Sequence, residues 1–205
     1  IVIGMKYLYS NMPYSDVGNY TFDTYLDYVQ QGIYLWENSP YVKNYPELYF
    51  LNYVLFHRTN DEEIKPCRTY FWKKIKDKVQ GKAMVEAALE INHWCAGEVM
   101  YQGTDMRTGS ALEIYRSGVG RCGEEAVFVV NVMRSAGIPA RPVYVPRWSH
   151  CDDNHAWVEV WCDGDWHYLG ACEPEAVLDK GWFTNAASRA MMIGSRWYDL
   201  SLIHI

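Results

Sequence analysis

The chain has 205 residues, of which 49% are hydrophobic and 21% charged, the proportions of a globular protein with one sizeable core or a core plus a small helical subdomain. A net charge of −6 argues against a nucleic-acid or anionic-membrane footprint. No apolar run reaches spanning length and no charged n-region with an h-region opens the chain, so it is expected to be soluble as given. It begins at Ile1 without an initiator Met, so a signal, an anchor or further sequence stays open, and with it the localisation.

Residues 1–80 read as a mostly helical, Tyr-rich lead-in. Over 21–37, Phe22, Tyr25, Leu26, Val29, Ile33 and Trp36 approach a helical stripe that Ser39-Pro40 breaks. Residues 47–57 are a second short apolar segment, 60–63 a polar break and 70–79 a basic amphipathic piece. Trp36, Trp72 and the tyrosines read as packing, and so does His57-Arg58 in preference to lining a groove. The clearest amphipathic helix is 82–102, with Met84, Ala87, Ala88, Ile91, Cys95 and Val99 at three- and four-residue steps and Gly103 as its end. Ser110-Ala-Leu-Glu113 is a capping box opening a short helix that Gly118 stops.

Next comes GVGRCGEEAVFVVN, 118–131, a Gly-rich turn that delivers Cys122 to the first turn of a helix apolar almost all round. Gly137 and Pro139 bound that helix at about 122–136. A helix N-terminus carries partial positive charge and unpaired N–H groups, which favour a thiolate. Glu124 reads as N-terminal capping, and Glu125 as the same. The segment 141–145 reads as a strand near an edge, because of Pro142, and 147–154 as a loop. From His155 to Trp161 the pattern alternates, with His155, Trp157, Glu159 and Trp161 on one face and Ala156, Val158 and Val160 on the other. Asp163-Gly164 is a hairpin turn, 166–169 the return strand, and 175 onward loop and short helix.

Six cysteines stand at irregular spacing with no C-x-x-C pair, which argues against a structural zinc site and a disulfide framework. If a bridge forms, Cys151, Cys162 and Cys172 are the candidates. A metal site from His150, Cys151, Asp152, Asp153 and His155 is the weaker reading of that loop. A nucleophilic cysteine needs a histidine base, a group to orient the imidazole and donors for the oxyanion. The chain offers Cys122 at a helix start, His155 at a strand start and Glu173 just past the paired strand. A donor besides the Cys122 backbone would be Trp94 or Gln102, with core packing the better reading of Trp94. Trp148, Trp157 and Trp161 are candidates to wall an acyl groove.

GVGRCGEE, RSAGIPARPVYV and NHAWVEVWCDGDWHYLG together resemble the transglutaminase-like superfamily of cysteine enzymes, over about 82–175. The lead-in PELYFLNYVLFHRTNDEE resembles the helical segment before this core in bacterial members. The resemblance implies a papain-like α+β fold, with the nucleophile-bearing helix packed on an antiparallel sheet over 81–199, a helical segment at 1–80 and an unassigned tail at 200–205. It implies thioester chemistry on amide bonds of a peptide or protein, with no cofactor and no metal, Cys122 as nucleophile and His155 as base. Hydrolysis is favoured over cross-linking because no amine-binding feature is legible. In a gap-free reading from Trp166 the family's Asp falls on Gly170, so either Glu173 takes its role from a shifted loop or another group does, with Asp152, Asp153 and Asn154 nearby. WHYLGACEPE also resembles the strand end of peptide:N-glycanases, whose zinc-binding cysteine pairs are absent here. A degenerate domain used for binding or assembly is the non-enzymatic alternative.

Overall fold

The computed structural model describes residues 1–195 except Thr104 and Met106, so the expected core end at 199 and the tail at 200–205 lie outside the described residues. The N-terminal part holds α1 (Val2–Asn11), α2 (Tyr14–Asn19), α3 (Phe22–Asn38) and α4 (Glu47–Phe50), which runs into a π-helical turn at Leu51–Leu55. The expected stripe of α3 is only half right. Phe22 and Trp36 are about half exposed, whereas Tyr25, Tyr28, Val29, Gly32 and Leu35 are buried. The reason is Gly32: a Cβ there would lie 2.6 Å from Leu55 Cδ1, so the π turn packs directly on the helix backbone and draws that face inward.

Two helices follow, α5 (Arg68–Val79) and α6 (Met84–Glu98). α6 stops short of the expected 102. Met100–Tyr101 (β1) leaves the helix to pair in parallel with Val119–Gly120 (β2), immediately before Cys122. Between them, α7 (Ala111–Ser117) has the anticipated capping box: the Glu113 N–H donates to Ser110 Oγ at 3.3 Å, and the Ser110 N–H donates to the Glu113 carboxylate at 3.0 Å. Gly118 ends it at φ +70°, where a side chain would be strained.

The central helix α8 (Cys122–Ser135) is buried from Glu124 to its end. Its Phe128 and Met133 are fully buried, each stabilising by roughly 1.5–3 kcal/mol. The strands β3 (Ala140–Val145), β4 (His155–Cys162) and β5 (Asp165–Leu169), a short α9 (Thr184–Ala187) and β6 (Gly194–Ser195) complete the described chain. The antiparallel sheet has the order β5-β4-β3-β6. Asp163 and Gly164 both take positive φ, as a tight hairpin requires. The outer neighbour of β3 is the two-residue β6, so Pro142 lies close to an edge as expected. Ala156, Val158 and Val160 of β4 face the main core with α8, while Trp157 joins Val143, Val145, Trp148 and Phe183 in a smaller cluster on the other face. The main core runs continuously from Met5 of α1 to Ala171 past β5. Among the described residues no helix is long and apolar enough to cross a membrane.

Candidate active site

Cys122 opens α8, and two ties hold that helix end. The β1–β2 ladder carries the Gln102 N–H onto the Gly120 carbonyl at 2.9 Å. The Glu124 carboxylate accepts the N–H groups of Arg121 at 3.0 Å and Gly109 at 3.1 Å, the capping role read from sequence. The Glu124 and Glu125 N–H groups are taken by the Arg121 carbonyl, which leaves those of Cys122 and Gly123 outside the helix ladder. Burial pushes the Cys122 thiol up, against the pull of the Ala156 and Gly123 N–H groups, and Glu125 adds to the rise. The net shift is upward: desolvation outweighs the N–H groups at the helix end that favour a thiolate.

His155 is the first residue of β4, paired with Val145. The residue is buried, with Trp182 at 4.7 Å, Phe183 at 5.0 Å, and Trp148 and Trp157 both at 6.2 Å between ring centroids. Burial lowers its pKa to about 4, which Asp153 only partly opposes. His155 Nε2 has no hydrogen-bond partner; it faces Glu173 Oε2 at 3.9 Å, and that oxygen is equally without one. No hydrogen bond joins Cys122 to His155. Ala156, the residue after His155, sets its N–H by the Cys122 thiol.

Glu173 reaches this position through a tight turn. Its N–H donates to the Gly170 carbonyl at 3.2 Å, with Cys172 between them at φ +56°. Asn92 of α6 clamps the turn, donating to the Gly170 carbonyl at 2.9 Å and accepting the Cys172 N–H at 3.1 Å. A Cβ at Gly170 would lie 2.5 Å from Glu173 Oε2 and 2.8 Å from its Cβ. The Glu173 side chain therefore fills the volume that a side chain at 170 would take. Burial raises its pKa, and a hydrogen bond from Trp182 Nε1 to Oε1, 2.9 Å long, opposes that rise.

The neighbouring candidates separate from this group. Asp152 pairs with Arg147 at 3.2 Å, and the Asp153 carboxylate accepts the Asn154 N–H, so neither bonds His155. Glu125 does not cap. It is buried without a cation, and desolvation, then Glu173 and Glu124, raise its pKa to about 8. Trp94 packs on Tyr115 and Phe128, and Trp161 stacks on Tyr49 at the far end of β4. His57 is fully buried on Asp16, as packing requires. All six cysteines are free thiols. Among the described residues no group of His, Cys, Asp and Glu is arranged to hold a metal ion. A pocket of about 90 Å³ beside the helix end is lined by Asn60, Gly123, Ala126, Tyr144 and Ala156, among others. Sequence reasoning missed Asn92 and Trp182. Asn92 gave a weak signal, a polar residue next to Ile91 on the buried stripe; Trp182 gave none beyond its residue type.

Residues 73–171 match the family model of the transglutaminase-like superfamily. A search of the curated proteins finds no match. Among solved structures, a proposed cysteine protease from Cytophaga hutchinsonii is 21% identical with a TM-score of 0.42, over 65% of this chain and 50% of that one. The chain thus spans about half the length of that protein. The match to the transglutaminase-like superfamily thus covers α8 and β4, the elements that carry Cys122 and His155.

Proposed function

We propose that this protein is a cysteine-dependent enzyme that cleaves amide bonds of a peptide or protein through a thioester, with water as the favoured acceptor. The observation that supports it is the convergence of three chain segments: the start of α8 with Cys122, the start of β4 with His155, and the turn after β5 with Glu173. In the resting state both partners are neutral, since burial raises the thiol and depresses the imidazole. With Nε2 turned to Glu173, Nδ1 is the nitrogen left to take the thiol proton. The thiolate attacks the carbonyl carbon, and the oxyanion accepts from the Cys122 and Gly123 N–H groups. The imidazolium gives its proton to the leaving amine, and the thioester forms. Water, deprotonated by His155, then releases the acid and restores the thiol. Glu173 supports the imidazolium at each stage.

The missing thiol–imidazole hydrogen bond favours a second reading, a degenerate domain that binds without turning over. One measurement separates the two: mass spectrometry of a peptide library incubated with wild type and Cys122→Ala, with and without an added amine. Hydrolysis predicts cleaved peptides from the wild type, unchanged by the amine, and a loss of roughly a thousandfold or more in the variant. Amine adducts would turn the reading to transfer, and an inert wild type would sink catalysis.

A further inference from the structure

Trp182 sits oddly for a large aromatic. It is 64% exposed, yet its ring lies on His155 and its N–H is committed to Glu173. The backbone that presents it is firmly tied to β5. The Asp179 N–H donates to the Tyr168 carbonyl at 2.9 Å, the Tyr168 hydroxyl donates to the Asp179 carbonyl at 2.6 Å, and Lys180 bridges to Leu169. Next to it Phe183 is buried, edge-on to Trp182 at 5.8 Å, and also packs on His155. The indole is therefore held in place by its neighbours rather than lying loosely on the surface.

We infer that Trp182 is the positioning residue of the acid: its N–H occupies Glu173 Oε1, so that Oε2 is the oxygen left for His155 Nε2, and its ring closes that gap to water. The inference rests on the cysteine-enzyme reading above. The facing pair explains the arrangement. Two buried polar atoms 3.9 Å apart, neither with a partner, are too far for a hydrogen bond and near enough to form one once the imidazole gains a proton. A carboxylate free to rotate or to bond water at both oxygens would lose that alignment. Trp182 removes one of the two oxygens from the choice. The same hydrogen bond favours the ionised carboxylate, the form that can support an imidazolium.

The test is the rate of Cys122 alkylation by iodoacetamide from about pH 5 to about pH 9, read by mass spectrometry. Trp182→Phe keeps a ring over the imidazole and removes the N–H. Glu173 then holds its proton to higher pH, so the acid limb should move up by about one unit, with alkylation about tenfold slower on that limb. In a Glu173→Gln background the same change should slow the reaction no further, because the two residues act as one unit. A merely structural role would slow both backgrounds by the same factor and leave the limb where it was; either result overturns the inference. Wild-type labelling that fails to prefer Cys122 over the other cysteines would instead sink the cysteine-enzyme reading, and the inference with it.

Discussion

Among the described residues, His57 with Asp16 and His155 with Glu173 are histidine–carboxylate pairs whose imidazoles are buried in boxes of aromatic rings, and they are built in opposite ways. His57 and Asp16 lie 2.9 Å apart, with Tyr25, Tyr28 and Phe56 around the imidazole. Arg58 grips the same carboxylate from Nε and Nη2, at 2.7 and 2.5 Å. Burial pushes the Asp16 carboxyl up, but the hydrogen bonds from His57 and Arg58 outweigh it and hold it below its ordinary value. His155 and Glu173 have the same groups and a similar box, but no cation, and the atoms that face each other are both unpartnered. A closed pair holds elements together; an open one leaves both facing atoms without a partner. The difference is between α2 locked to the 57–58 segment and a pair at the start of β4 whose facing atoms are left open.

Breaking each pair should therefore give different losses. Asp16→Ala takes the carboxylate away from Arg58 and His57 in the core, which costs about 3–5 kcal/mol; chemical denaturation should show it, while Cys122 alkylation in the folded protein stays within about twofold. Glu125→Gln tests the carboxyl that has no cation at all. Its folded pKa is raised to about 8 from an ordinary 4.5, so its stabilising protonated state is fully present below about pH 4.5 and lost as pH rises through 8. The glutamine variant should be the more stable protein by a few kcal/mol near pH 8 and no more stable near pH 4, as urea titrations at the two pH values would report. A variant that gains nothing at the higher pH would show Glu125 to be better solvated than its burial indicates. Glu173→Gln should change stability by less than about 1 kcal/mol and slow turnover about tenfold to a hundredfold. Moving the acid sharpens that result. Glu173→Gly together with Gly170→Asp clears the volume over Gly170 and fills it from 170, and should recover part of the loss; no recovery would mean that the matching volume is only a packing feature.

Much of this was legible in local sequence. The capping box at Ser110, the stops at Gly118 and Gly137 and the alternation of β4 each depend on residues within a few positions of one another, and each element formed where those signals lay. The same holds for Cys122 at a helix start and His155 at a strand start. α6 and α3 show the limit. The helical pattern of α6 continues past Glu98, but pairing with 119–120 claims the next residues; the apolar stripe of α3 is real, but Gly32 lets Leu55 choose the face that is buried.

What the sequence alone determined is thus the set of elements and the two residues that stand at their ends, because hydrogen-bond capping and side-chain periodicity are short-range. Only the tertiary structure decided the chemistry between them. Desolvation of Cys122 and His155 is a sum over segments far apart in the chain, and it opposes the pull of the helix end on the thiol. The turn clamped by Asn92 placed Glu173 over Gly170, and the 179–183 strap brought Trp182 onto both members of the pair. Each of these is a contact between distant residues, and its effect depends on closeness in space, which the order of residues does not contain.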